Sequence, residues 1–250
     1  MVVGLLIGKH KSMGCPGKNV RPILGRPMCE YAFMAGKNAK RIEKMFCSTD
    51  SPEIAEIGKR YGAEHIERPA FLATPEALTE DALLHAYEEI TRRIGKEPSI
   101  VVLLFANSPT IPVGMLDQGI EALEKDASLD SAFSVCKYNM WSPLRARRLD
   151  EKGIIHPYVP LDKIGDTSKM SSIRGGEGDS YFCDLTVQVM RGRCFKEMDK
   201  GQLPFLWQGK KSLALINDFG FDIDFEWQIP VIEHWLRDKG FSETKTPYEK

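Results

Sequence analysis

Short apolar runs alternate with helix-periodic segments along most of this chain, and that alternation limits its possible folds more than any other feature. Residues 2–7 form a continuous apolar run of the kind expected for a strand covered on both faces, and similar runs recur at 45–49, 100–105, 131–135 and 213–216. Between them, 52–61 carries Ile54, Ile57 and Tyr61, and 79–94 carries Leu83, Leu84, Tyr87 and Ile90, at helical spacing. Residues 115–123 and 226–236 follow the same pattern. The expected fold class is α/β, a doubly wound and mainly parallel sheet, which binds ligands beyond the carboxyl ends of its strands. The pattern fails between about 138 and 180, a stretch rich in charge, Gly and Pro with one hairpin signal at Asp150-Glu151-Lys152-Gly153. We read residues 1–250 as a single domain with 138–180 as an excursion from its sheet, and expect 242–250 to fray.

Charge excludes several functions. Lys plus Arg (34) nearly cancel Asp plus Glu (35), so the chain lacks the footprint of a nucleic-acid binder or a polybasic membrane protein. No apolar run approaches the ~20 residues needed to span a bilayer, and the first residues carry no signal-peptide pattern. The cysteines (Cys15, Cys29, Cys47, Cys136, Cys183, Cys194) are scattered, with no C-x-x-C pair or zinc spacing. These features predict reduced, mostly buried thiols in a cytoplasmic protein.

Chemistry concentrates after the first strand, in Gly8-Lys9-His10-Lys11-Ser12-Met13-Gly14-Cys15-Pro16-Gly17-Lys18-Asn19. Glycines permit close backbone approach, free N–H groups cradle phosphate oxygens, and three lysines supply charge for a polyphosphate. It is not a Walker loop, because Asn19 stands where Ser or Thr would ligate magnesium and Pro22 follows instead of a helix. The second signal is Asp222-Ile223-Asp224: on a strand, residues two apart share a face, so both carboxylates converge on one cation such as Mg2+. A competing reading makes Asp224 the N-cap of the helix that follows. Thr49-Asp50-Ser51-Pro52 reads as a helix start in which Asp50 caps.

The loop, its continuation Val20-Arg21-Pro22-Ile23-Leu24-Gly25-Arg26-Pro27, and the ordered set Ser48-Thr49-Asp50, Arg68-Pro69, Leu103-Leu104, Ser108-Pro109 and Asp222-Ile223-Asp224 resemble the acylneuraminate (CMP-sialic acid) cytidylyltransferase family, with its CMP-ulosonic acid synthetase relatives. The resemblance implies a Rossmann-like nucleotidyltransferase fold with a protruding dimerisation arm at about 138–180. It also implies transfer of CMP from CTP to an acidic sugar, with Mg2+ on Asp222 and Asp224, in a homodimer. Lys18, Asp222 and Asp224 would be catalytic. The nucleotide would be held by Lys9, Ser12, Gly14, Lys18, Asn19, Arg68 and Thr79, the last two at the cytosine edge. Arg68 has a surface salt bridge as its other reading, and Thr79 a helix N-cap.

The acceptor side departs from the family pattern. Leu103-Leu104-Phe105-Ala106-Asn107-Ser108-Pro109 has Phe105 where relatives that activate sialic acid place a sugar-binding Gln, and Tyr181-Phe182-Cys183-Asp184-Leu185 keeps little of a Tyr-x-x-Asn-Gly motif. We expect Phe105, Asn107 and Ser108 at the acceptor, with Arg174 on the arm for a substrate carboxylate and Arg145, Arg147 and Arg148 as further arm cations. Two other readings stay open: a sugar-1-phosphate or other small-anion nucleotidyltransferase of related fold, and a non-catalytic nucleotide-sugar-binding subunit.

Overall fold

The structure is a computed structural model in which residues 1–10 and 15–248 are described. In chain order the strands are β1 (Val2–Gly8), β2 (Pro22–Ile23), β3 (Arg26–Pro27), β4 (Lys44–Thr49), β5 (Glu64–Glu67), β6 (Ile100–Phe105), β7 (Ser131–Lys137), β8 (Arg147–Leu149), β9 (Ile155–Pro157), β10 (Tyr181–Arg191) and β11 (Ser212–Asn217). The α-helices are α1 (Met28–Asn38), α2 (Pro52–Arg60), α3 (Thr79–Ile94), α4 (Met115–Lys125), α5 (Arg193–Lys196) and α6 (Ile229–Asp238).

Seven strands form one sheet in the order β11-β7-β10-β6-β1-β4-β5. Every pairing is parallel except those of β10, which runs antiparallel to both β6 and β7. The alternation in β1 explains why it sits centrally. Val2 and Leu6 pack with α1, α2 and α4 on one face, while Val3, Leu5 and Ile7 pack with α3 and α5 on the other. Each such side chain, fully buried, contributes about 1.5–3 kcal/mol relative to exposure. From β1 the chain moves outward to β4 and β5, then returns to place β6 on the other side of β1. That reversal opens a crevice at the carboxyl ends of β1 and β6, where a doubly wound sheet binds its ligand. Gly8 ends β1 there, and a Cβ on it would lie 2.6 Å from the Cβ of Ala106, so only glycine lets the two strand ends approach so closely.

The doubly wound, mainly parallel sheet agrees with the sequence reading, and the helix expected over 79–94 is α3. The helices expected over 52–61 and 115–123 are α2 and α4, but a few elements carry no such periodic signal. Helix α1 has eight buried residues among its 11 and so shows little amphipathic pattern. Strand β5 is an edge strand with only Ile66 buried, and β10 buries Asp184, Thr186 and Gln188. Between 138 and 180 the chain leaves the sheet for short 3-10 turns and the β8–β9 hairpin, closed as expected by Asp150, which accepts from Lys152 N and Ile154 N.

The fraying expected of the C-terminal segment is not observed through residue 248. Tyr31 and Tyr248 lie edge-on to Phe241, with ring centroids 5.4 and 6.1 Å away, and Arg26 Nη1 donates to Ser242 O. The aromatic residues, sparse in a polar stretch, are what dock it. Phe241→Ala should lower stability by about 3 kcal/mol, read in thermal denaturation as a fall in Tm of about 6–12 °C; an unchanged Tm would show that this segment is not docked.

Candidate active site

A cleft of about 1570 Å3 opens over the carboxyl ends of β1, β4 and β6. It exceeds the usual ~300–1,000 Å3 of a small-ligand pocket, leaving room for a nucleotide and a second substrate. Three stretches far apart in sequence meet there: the loop after β1, the Phe105–Asn107 end of β6, and the Asp222–Asp224 segment after β11.

The loop is anchored at both ends. Asn19, only 8% exposed, donates from Nδ2 to Lys9 O at 2.8 Å, and Lys9 Nζ donates to Thr74 O at 3.0 Å. Gly17 adopts φ 69°, the left-handed turn that starts the 3-10 helix Lys18–Val20. That turn aims Lys18 across the cleft, where Nζ donates to Ile223 O at 2.5 Å and Asp224 Oδ1 at 2.6 Å. Arg21, one turn on, pairs with Glu226. Ser12 and Gly14 lie outside the described residues.

Asp222 and Asp224 both line the cleft, although the segment bearing them is not a strand as expected but an irregular stretch beyond β11. Fully buried Ile223, packed among residues of α1 and α6, divides them and turns both carboxylates to the cleft. Asn107 clamps the segment: its Nδ2 donates to Asp222 Oδ2 at 3.2 Å and Ile223 O at 3.1 Å, while its backbone carbonyl accepts from Ile223 N at 2.9 Å. Burial raises the Asp222 pKa from its ordinary value, Asp224 adds to the rise, and Lys18 and Asn107 oppose it. A carboxylate so placed gains from a cation. Asp224 does not cap a helix; the N-cap of the following turn is Phe225. The Lys18 side chain is largely buried, whereas the Asp224 carboxylate it pairs with is about half exposed.

On the β4–β5 side, Arg68 is 5% exposed, donates from Nη2 to Ser48 O at 2.8 Å and leaves Nε without a partner. Burial lowers its pKa, and the carboxylate of Asp50 counters that fall. Arg68 lines the cleft, so the surface salt-bridge reading does not hold. Thr79 also lines it and is the first residue of α3; Leu78, not Thr79, occupies the N-cap position. The helix start after β4 is capped by Ser51, which accepts from Ile54 N, whereas Asp50 accepts from His10 N at 2.8 Å and faces the cleft. His65 and Glu67 on β5 join the lining. Sequence reasoning passed over both, and the strand-end rule for parallel sheets identifies Asp50 once β4 is placed.

The acceptor-side residues separate. Phe105 lines the cleft, and Asn107 lines it while holding the carboxylate segment. Ser108 is 1% exposed and lies behind the wall rather than on it, with an Oγ that has no partner. Arg174 is exposed on the 138–180 segment and does not line the cleft of its own chain. Arg145 and Arg147 donate to backbone carbonyls within the same segment.

Comparison with known proteins points to one family. The family model described as cytidylyltransferase matches residues 4–149, which include the loop, Arg68, Thr79 and Asn107. A pseudaminic acid cytidylyltransferase and UDP-2,4-diacetamido-2,4,6-trideoxy-beta-L-altropyranose hydrolase of Helicobacter pylori is 28% identical over 149 residues, 59% of this chain and 28% of that protein. This chain therefore spans under a third of that two-function relative. A post-translational flagellin modification protein B of Campylobacter coli is 27% identical over 248 residues, covering 91% of this chain and 92% of that protein. Among solved structures, a CMP:2-keto-3-deoxy-manno-octonic acid synthetase complexed with CTP superposes with TM-score 0.66 at 12% identity, over 95% of this chain and 98% of that one. The strand order, the lysine loop at the crevice and the family match over more than half the sequence lead to one conclusion: this chain belongs to the cytidylyltransferase family.

Proposed function

We propose that the chain transfers CMP from CTP to the anomeric hydroxyl of an acidic, ulosonic-type sugar and releases pyrophosphate. The observation that carries this reading is that Lys18 and the carboxylates of Asp222 and Asp224, over 200 residues apart, face one cleft large enough for both substrates. In the reaction, the acceptor oxygen bonds to the α-phosphorus as the bond to the β-phosphate bridging oxygen breaks, and the hydroxyl proton passes to solvent. Lys9, Lys18 and the loop's N–H groups bind the triphosphate and offset the charge that builds on pyrophosphate. Lys18 leaves Asp224 for phosphate oxygens as the nucleotide enters. The buried Arg68 donates to the cytosine acceptors O2 and N3, with Thr79 beside it.

The residues present fit a magnesium ion. Among the described residues no group of three His, Cys, Asp or Glu is placed to hold a metal alone, whereas Mg2+ needs only one or two carboxylates with phosphate oxygens and water. Asp222 and Asp224 would hold it, and when bound it would neutralise phosphate charge and acidify the attacking hydroxyl. Asn107 keeps both carboxylates facing the cleft.

We read the whole chain as one domain and 138–180 as an arm that packs against a second copy. Trp141, Leu149, Ile155 and Tyr158 on that segment are all more than half exposed, which supports burial by a partner. Arg174 would then serve the partner's acceptor site. The six free cysteines support a reducing, cytoplasmic setting, and no helix among the described residues is long and apolar enough to cross a membrane.

The reading is tested by incubating the protein with Mg2+, each nucleoside triphosphate and a panel of ulosonic acids, with CMP-sugar formation read by mass spectrometry. Product is expected with CTP alone; turnover with a sugar 1-phosphate instead would overturn it. Asp222→Asn and Asp224→Asn should each lower kcat by about 100-fold or more with smaller changes in KM for CTP, as for a transition-state charge contact. Full activity in both would remove the metal assignment. Sedimentation should show a dimer, and a monomer at assay concentration would end the arm proposal.

A further inference from the structure

A buried polar cluster beneath the carboxylate segment takes no part in the steps above. Asp184 on β10 is 4% exposed, yet its carboxylate accepts five hydrogen bonds. Oδ1 accepts from Ser134 Oγ, from Thr186 N at 3.0 Å and from Thr186 Oγ1 at 2.8 Å; Oδ2 accepts from Cys136 Sγ at 3.0 Å and Asn217 Nδ2 at 2.9 Å. Buried carboxylates are rare without such compensation, and these donors come from β7, β10 and the last residue of β11. The backbone at this point is irregular. The β10–β7 register shifts between Cys183 and Gln188, and Leu185 adopts φ 60°, a left-handed conformation uncommon for a bulky residue. Backbone irregularities of this kind cluster near functional sites.

From this cluster the chain runs directly to the proposed metal ligands. Asn217 is tied to Asp184, and three residues later Gly220 crosses so close that a Cβ would lie 2.8 Å from Thr186 Cγ2 and 3.2 Å from Asp184 Cγ. Tyr138 Oη donates to Gly220 O at 3.2 Å and accepts from Gly220 N at 3.4 Å. Phe221 follows, then Asp222.

We propose that Asp184 is a positioning residue for the transfer reaction: through Asn217 and Gly220 it sets the depth at which Asp222 and Asp224 face the cleft. The proposal rests on the reading of those two carboxylates as metal ligands. A carboxylate suits the place because its oxygens only accept, while the Thr186 N–H and the Asn217 amide both donate. In Asp184→Asn the new amide turns a donor toward one of them, and the segment above must shift. Exchanging the two side chains, Asp184→Asn with Asn217→Asp, restores one acceptor and one donor across the same contact.

The test is Mn2+ binding by calorimetry to each variant with CTP present, alongside steady-state kinetics and Tm. Asp184→Asn should weaken Mn2+ binding about 10-fold and lower kcat about 10- to 100-fold, with KM for CTP changed less than about twofold. The exchanged pair should recover Mn2+ affinity to within about threefold of wild type. A fall in Tm with Mn2+ affinity and kcat unchanged would overturn the proposal, as would an exchanged pair that folds like wild type without recovering affinity. If Asp184→Asn does not fold, Tyr138→Phe removes the hydroxyl that bonds to Gly220 O and N; weaker Mn2+ binding supports the proposal, and unchanged binding overturns it. Wild type that binds no Mn2+ sinks the metal reading and this proposal together. Wild type that binds it, with Asp222→Asn deficient and Asp184→Asn normal, sinks this proposal alone.

Discussion

The ammonium of Lys18, held between the carbonyl of Ile223 and the carboxylate of Asp224, joins the first loop of the chain to a segment more than 200 residues later. The rest of the site depends on that junction. It offsets the repulsion between two acids divided by a single buried residue, and it limits the rise in the Asp222 pKa that burial would otherwise drive. Lys18 reaches across with a largely buried side chain, while the Asp224 carboxylate stays about half exposed.

The sheet makes the junction possible. Placing β6 beside β1, after the chain has already built β4 and β5 on the other side, forces the loops after β1 and β6 to diverge and leaves a crevice between them. Antiparallel β10 then brings β7 and β11 into the same sheet, and β11 delivers the acidic segment to that crevice. The family match ends at residue 149, before β10, β11 and both acids. The second half of the site is thus supplied by a part of the chain that the family model does not cover.

Much of the framework was legible in the sequence for one reason: strands covered on both faces are continuous apolar runs, and α2, α3 and α4 each keep one apolar stripe. The elements that escaped lack those signatures. Helix α1 is apolar nearly all round, β5 buries one side chain in four, and β10 carries Asp184, Thr186 and Gln188 inward because tertiary hydrogen bonds satisfy them. The site was legible to the extent that its residues are charged and unusual in context, as Lys18, Asp222 and Asp224 are. Asp50 and Thr79 looked like helix caps because the same short polar side chains serve both purposes, and only the positions of Ser51 and Leu78 at the actual N-caps separate the two.

The sequence alone determined which groups are available: a glycine-lysine turn after a buried strand, two acids flanking an isoleucine, and charge too balanced for a polyanion-binding surface. Only the tertiary structure decided that Arg68 is a buried cation at the cleft, that Ser108 lies behind its wall, and that Asn107 holds the acidic segment. Residue type sets what a side chain can donate or accept. Its partner is set by strand order and register, because residues that meet across this cleft are separated by up to 206 positions and no local pattern records the meeting.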